Sequence, residues 1–177
     1  RILDVSASKP YDGSGTFKTG FNVKNVLPGD TVNITGEATV AGVDAGTYTA
    51  FTSNTLSTGN KNYTLNPVNT PNYSYGSFGS VAATIDKATI SQIRIRAGRD
   101  YNGTPYAYAS DVSDLLDVLP RDQGLVSVTS GTGVLDGKDV GVHTLTSIGD
   151  LTLGGPAAGN YALSISGSRW TISPKFI

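Results

Sequence analysis

The sequence predicts an all-β chain made of two tandem small domains, β-sandwich-like or at least β-rich, arranged end to end. Three observations lead there. The 177 residues include 22 glycines and abundant Ser, Thr and Asn, with only 15% charged residues, a composition suited to strands and turns. Apolar residues alternate in short runs, as Val32 and Ile34 do within Thr31-Val32-Asn33-Ile34-Thr35, which is the period of a half-buried strand. Finally, the chain repeats itself. Lys9-Pro10-Tyr11-Asp12-Gly13 returns as Arg99-Asp100-Tyr101-Asn102-Gly103, each a turn signal in which a short polar side chain bonds nearby backbone and glycine accepts positive φ.

The repeat carries further landmarks. Leu3 and Val5 match Ile93 and Ile95, Val26-Leu27-Pro28-Gly29-Asp30 matches Val118-Leu119-Pro120-Arg121-Asp122, and Asp44-Ala45-Gly46 matches Asp139-Val140-Gly141. Asn62-Tyr63-Thr64-Leu65 matches Asn160-Tyr161-Ala162-Leu163, and Thr84-Ile85 matches Thr171-Ile172. The offset is 90 at the first turn, 98 at Asn160 and 87 at Thr171, so copy one holds an insertion over residues 66–80 that copy two lacks. The domains are expected at 1–88 and 89–177. Ile90 and Ile177 stand at equivalent places in the period and methionine is absent, so the chain reads as an excerpt of a longer tandem array.

In order along copy one, strands are expected over residues 2–7, 16–23, 31–35, 37–41, 47–51, 63–65 and 81–85, with 31–35 and 37–41 as a hairpin across Gly36. Residues 86–90 contain neither Gly nor Pro and predict a short, stiff junction. Copy two predicts strands over 93–97, 125–129, 142–147, 161–165 and 168–172. One short helical turn is expected at 110–118, capped by Ser110 and with Val112, Leu115 and Leu116 on its apolar face. Trp170, the sole tryptophan, is expected in a core or at a junction, because it must bury a large area. Asp44-Ala45-Gly46-Thr47-Tyr48 resembles the tyrosine-corner stretch of immunoglobulin domains, although Ala50 stands where those domains carry a cysteine.

The order of landmarks resembles the YDG-type, MBG-like repeats of bacterial surface exoproteins. The likeness rests on Tyr11-Asp12-Gly13, Gly29-Asp30, the turns at Asp44 and Asp139, Gly159-Asn160-Tyr161 and the closing Ile172-Ser173-Pro174-Lys175. Such repeats occur in filamentous-haemagglutinin-like adhesins, often secreted by the two-partner route. The resemblance implies an extracellular or bacterial cell-surface location and neighbouring repeats of the same chain as partners. It also marks Tyr11, Asp12, Gly13, Tyr101, Asn102, Gly103, Asn62, Tyr63, Asn160 and Tyr161 as structural motif residues. Copy two departs at Asn102 and Arg121, so neither Asp12 nor Gly29 is a functional group required by both copies.

Composition narrows the function classes. Net charge is −1, which leaves no electrostatic footprint for nucleic acid. No apolar run approaches the roughly 20 residues of a membrane span. Cysteine is absent, which removes thiolate chemistry and cysteine-based zinc sites. No cofactor is expected. His143, the only histidine, occupies the place of Tyr48 in copy one, so it is expected to be a strand residue and not a catalytic base or metal ligand. The loop carboxylates Asp12, Asp30, Asp44, Asp122, Asp136 and Asp139 fit no EF-hand or nonapeptide calcium spacing and are expected to stabilise turns.

The insertion is the one stretch that invites a ligand. Asn72, Tyr73, Tyr75 and Phe78 combine flat aromatics with amide side chains, a mixture that suits sugar rings. The basic residues Arg94, Arg96 and Arg99 would suit an acidic glycan, although Arg94 and Arg96 alternate with Ile93 and Ile95 as the wet face of a strand would. The expected function is that of a non-catalytic stalk segment of a secreted or cell-surface adhesin. The alternative is a carbohydrate-binding module that meets extracellular polysaccharide or a host glycan, and a third reading is an enzyme accessory domain.

Overall fold

The computed structural model describes residues 1–65, 82–96 and 98–177. The fold is all-β, and helical structure among these residues amounts to three 3₁₀ turns of three residues each. The chain divides into two compact units, Arg1–Lys87 and Ala88–Ile177.

The first unit contains β1 (Ile2–Pro10), β2 (Thr16–Phe17), β3 (Phe21–Lys24), β4 (Ala38–Thr39), β5 (Gly46–Tyr48), β6 (Ser53–Asn54), β7 (Thr64–Leu65) and β8 (Ala83–Asp86). Strand β1 runs antiparallel to β3 along Asp4–Ala7, parallel to β8 along Ala7–Pro10, and parallel to β7 at Ile2–Leu3. Pairing with several neighbours explains why Leu3, Asp4, Val5 and Ala7 are all buried. Strand β5 completes this sheet against β8. A second sheet has the order β2-β4-β6. Phe17 of β2 meets Phe51 edge to face with ring centroids 6.3 Å apart, an arrangement the ring quadrupoles favour.

The second unit contains β9 (Ala88–Ile90), β10 (Ile93–Ile95), β11 (Arg99–Asp100), β12 (Tyr106–Tyr108), β13 (Val112–Leu115), β14 (Ser127–Ser130), β15 (Thr132–Leu135), β16 (Gly141–Ser147), β17 (Thr152–Gly154), β18 (Tyr161–Leu163) and β19 (Arg169–Ser173). Its main sheet has the order β11-β19-β16-β15-β12, with two-stranded ladders β10-β13, β14-β17 and β18-β9 beside it. Trp170 lies in the core of this unit with Leu145, Ile165 and Ile172, and is fully buried. Its indole N–H donates to Asp111 Oδ2 at 3.0 Å, which meets the requirement a buried Trp brings with it.

The ladders show the repeat directly. Gly46 and Tyr48 stand opposite Ile85 and Ala83, while Gly141 and His143 stand opposite Ile172 and Trp170. Lys9 pairs with Ile85 as Arg99 pairs with Ile172. At the start of the units the register corrects the sequence alignment. Leu3 lies opposite Leu65 and Ile90 opposite Leu163, so the counterpart of Leu3 is Ile90 and not Ile93. Extra residues then divide the long first strand of copy one into β9, β10 and β11 in copy two.

Three expected elements take another form. The strand expected over 16–23 is broken into β2 and β3, which pair in different sheets, with Gly20 at φ 76° between them. The helical turn at 110–118 is a 3₁₀ turn at Ala109–Asp111, and Val112–Leu115 is a strand paired with β10. Its first turn is held by the Asp111 carboxylate accepting from the Tyr108 N–H at 3.0 Å, not by Ser110. A helix this short is marginal, and the ladder with β10 supplies the backbone partners instead. The hairpin across Gly36 does not form. Val32 and Ile34 do turn inward relative to their exposed neighbours, but only Thr35 makes a bridge, to Ser57, and β4 pairs with β2 and β6. Alternation correctly gave the faces of the 31–35 segment but could not identify its partner.

Candidate functional site

The turn after the first strand is organised by a basic side chain two positions before its tyrosine. Gly13 and Gly103 adopt φ of 80° and 79°, which closes the turn without side-chain strain. In copy one, Lys9 Nζ donates to Asp12 Oδ1 at 2.8 Å, to the Ser14 carbonyl at 2.7 Å and to the Thr16 carbonyl at 2.8 Å. These three bonds use the full donor capacity of an ammonium. The nitrogen also lies 5.1 Å from the centroid of Phe17, within cation–π range. Asp12 further accepts from the Ser14 N–H at 2.9 Å. Burial raises the Asp12 carboxyl, but the Lys9 and Ser14 bonds outweigh it and hold the pKa below its ordinary value.

Copy two builds the same cage with other chemistry. Arg99, 5% exposed, donates from Nε to the Tyr106 carbonyl at 2.8 Å and from Nη1 to Asn102 Oδ1 at 2.8 Å and the Asp100 carbonyl at 3.0 Å. Its Nη2 donates to the Thr104 carbonyl, and the guanidinium lies 5.6 Å from the Tyr108 ring centroid. The Thr104 N–H donates to Asn102 Oδ1, as the Ser14 N–H does to Asp12. Arg99 is therefore committed to its own loop and is not available to an acidic glycan. Arg94 and Arg96 are exposed, and Arg94 lies 3.6 Å from Asp114.

The Asn-Tyr landmark closes on the Leu-Pro landmark. In copy one the Tyr63 hydroxyl donates to Asp30 Oδ2 at 2.5 Å and accepts from the Leu27 N–H at 3.0 Å. In copy two the Tyr161 hydroxyl donates to Asp122 Oδ2 at 2.7 Å and accepts from the Leu119 N–H at 3.1 Å. The bond to Asp30 comes first among the causes that raise the Tyr63 pKa above its ordinary value. Within each turn the Asp30 and Asp122 N–H groups donate to the Leu27 and Leu119 carbonyls. Asn62 and Asn160 precede these tyrosines. The Asn62 carbonyl accepts from the N-terminal amine at 2.8 Å, and Asn160 is buried, its N–H donating to the Ala157 carbonyl.

A third motif joins the Asp44 and Asp139 turns to the strands that follow. The Tyr48 hydroxyl donates to the Asp44 carbonyl at 2.7 Å, the bond that defines a tyrosine corner. His143 Nε2 faces the Asp139 carbonyl at 2.6 Å, and its Nδ1 lies 2.8 Å from Asp136 Oδ1. The Asp139 carbonyl and the Asp136 carboxylate raise the His143 pKa above its ordinary value, and the His143 bond lowers that of Asp136. Both ring nitrogens thus have protein partners, and His143 lies on a strand at the position of Tyr48. Among the described residues, no group of three His, Asp or Glu side chains is placed to hold a metal ion.

The proposed sugar-binding residues Asn72, Tyr73, Tyr75 and Phe78 lie outside the described residues. Sequence inspection missed the roles of three side chains. Lys9 and Arg99 announce themselves only as a basic residue two places before a tyrosine in both copies. Asp136 is signalled by a paired difference: where copy one has Ala41 and Tyr48, copy two has Asp136 and His143.

Comparison with known families agrees with these landmarks. The YDG domain model matches residues 2–71 and 80–168. No curated protein and no solved structure matches the chain. With one match in each unit and most of its length covered, the chain belongs to the YDG domain family.

Proposed function

We propose that this chain is a non-catalytic spacer segment of a secreted or cell-surface bacterial adhesin, its partners being neighbouring repeats. The observation that carries this reading is where the motif side chains are used. Asp12, Asn102, Tyr63 and Tyr161 all bond within their own unit, as do Lys9 and Arg99. The residues shared by the two copies thus serve to rebuild one fold. A second support lies in the sequence, where residues 86–90 contain neither Gly nor Pro, the composition of a stiff connection rather than a flexible linker. Small-angle scattering of the 177-residue chain is the test. An elongated particle is expected, and a compact one would sink the proposal.

A second reading has its own support in the sequence. The insertion of copy one concentrates Asn72, Tyr73, Tyr75 and Phe78 in a stretch that copy two does without, and loops carried by a rigid scaffold often hold binding functions. On this reading copy one is a carbohydrate-binding module for extracellular polysaccharide or a host glycan. A glycan-array screen beside a Tyr73→Ala/Tyr75→Ala variant separates the two. Binding that vanishes in the variant favours recognition, while a folded chain that binds nothing favours the spacer.

A further inference from the structure

We propose that the His143 corner is a proton-operated latch confined to the second unit. With the imidazole protonated, it ties the loop between β15 and β16 to β16 at two points. With the imidazole neutral, one of the two ties is lost.

The geometry follows from donor and acceptor counting. One ring nitrogen faces a backbone carbonyl at 2.6 Å and the other a carboxylate at 2.8 Å. Both partners are acceptors, and only the imidazolium has two N–H donors. A neutral ring that keeps its bond to the Asp139 carbonyl turns a lone pair toward Asp136 Oδ1, and the other tautomer opposes a lone pair to the carbonyl. Gly137 leaves room for the ring in this pose, since a Cβ there would lie 2.7 Å from His143 Cε1. Asp136 also accepts from the Thr144 N–H at 3.2 Å, and its own N–H donates to the Thr144 carbonyl, so the carboxylate is fixed before the histidine reaches it.

Copy one is the internal control. Gly42, Asp44, Gly46 and Tyr48 correspond to Gly137, Asp139, Gly141 and His143, and a Cβ on Gly42 would lie 2.8 Å from the Tyr48 hydroxyl. A phenol has a single O–H and makes the one bond to the turn carbonyl, and Ala41 stands where copy two has Asp136. Histidine and aspartate therefore enter together as a matched pair. The charged groups acting on the ring are Asp136 and Asp139. Lys138 is held 3.3 Å from Asp139 Oδ1, and β19 places Trp170 opposite His143 and Arg169 opposite Thr144.

The sign is set by the direction of the shifts. A histidine whose folded pKa is raised stabilises the unit fully below its unfolded value near 6.5, and that stability is lost as pH rises through the folded pKa. Because the chain has one histidine, proton NMR titration of its ring needs no assignment. The expected result is a midpoint above the ordinary histidine range in the intact chain, displaced downward in Asp136→Asn. The second readout is Trp170 fluorescence, which follows melting of unit 2 alone. Its midpoint temperature should fall between pH 6 and pH 9 in the wild type and change less in Asp136→Ala/His143→Tyr, which restores the pair of copy one. A wild-type ring that titrates at or below the ordinary range, or one whose midpoint Asp136→Asn leaves in place, overturns the latch whether or not the double variant folds.

Discussion

Replacing Tyr161 by phenylalanine removes one oxygen from a closed arrangement, and the consequence can be worked out group by group. The hydroxyl donates to Asp122 Oδ2 at 2.7 Å and accepts from the Leu119 N–H at 3.1 Å. Asp122 is 4% exposed, so water cannot readily replace the lost donor. The Arg121 Nε lies 3.8 Å from the Asp122 Oδ1, but the lost donor served the other oxygen, and a hydrogen bond to a charged group is worth about 1.5–3 kcal/mol. Tyr161→Phe is therefore expected to destabilise unit 2 by about 2–3 kcal/mol, roughly 30- to 150-fold in its folding equilibrium. Tyr63→Phe removes the same oxygen from unit 1, but Asp30 is exposed and regains water. Its cost should be about 1 kcal/mol, the net worth of an ordinary bond. Urea unfolding followed by Trp170 fluorescence reports unit 2, and amide exchange at Thr64 and Leu65 reports unit 1. If Tyr161→Phe costs no more than Tyr63→Phe, burial of the carboxylate does not set the value of this clasp.

The turn cages give a second comparison. Arg99→Met should cost about 2–4 kcal/mol by stranding loop carbonyls, whereas Arg99→Lys should keep most of the stability because Lys9 does the same work in copy one; equal losses on denaturation would refute the cage. Gly137→Ala should cost about 1–3 kcal/mol through overpacking and should displace the His143 ring resonances, because its Cβ would lie 2.7 Å from Cε1. Acid should also weaken unit 2. The lowered pKa of Asp136 means its contribution is complete above its ordinary value near 3.8 and disappears as pH falls through the folded value. Asp136→Asn should flatten that acid limb of the melting profile.

Much of the fold was legible because it repeats. Several strand positions and the two turns follow from landmarks occurring twice, and the tyrosine-corner likeness of the Asp44–Tyr48 stretch matches a bond between Tyr48 and Asp44; the strands Tyr106–Tyr108, Thr132–Leu135 and Thr152–Gly154 lie outside those landmarks and were not expected. Pairing was less legible. Val32 and Ile34 alternate as a strand should, yet the backbone of 31–35 finds only the Thr35 bridge, because periodicity specifies a face and says nothing about the neighbour across a ladder. The helical pattern of Val112, Leu115 and Leu116 misled for a related reason: its three apolar residues also suit a strand beside β10, and short apolar runs are ambiguous between the two. The roles of Lys9 and Arg99 were hidden because their partners are mostly carbonyl oxygens, which every residue carries.

The two copies also show which part of a motif the fold requires. The Tyr11 N–H donates to the Asp86 carbonyl and the Tyr101 N–H to the Ser173 carbonyl, both at 2.8 Å, so the backbone of the turn is held alike. Around it the chemistry changes in compensating steps. Lys9 with a carboxylate becomes Arg99 with an amide, and one of the two further donors of a guanidinium takes up another loop carbonyl. Tyr48 beside Ala41 becomes His143 beside Asp136. In each case the acceptor geometry persists and the donor is exchanged for one that satisfies it. Such exchange keeps the unit's shape while altering its charge: the Lys9–Asp12 cage is neutral and the Arg99–Asn102 cage carries a net positive charge. A fold built this way can vary the pH response and surface charge of each unit without disturbing the strand register within it. Unit-specific properties are therefore best sought at positions where the two copies differ in pairs, of which Asp136 with His143 is the clearest.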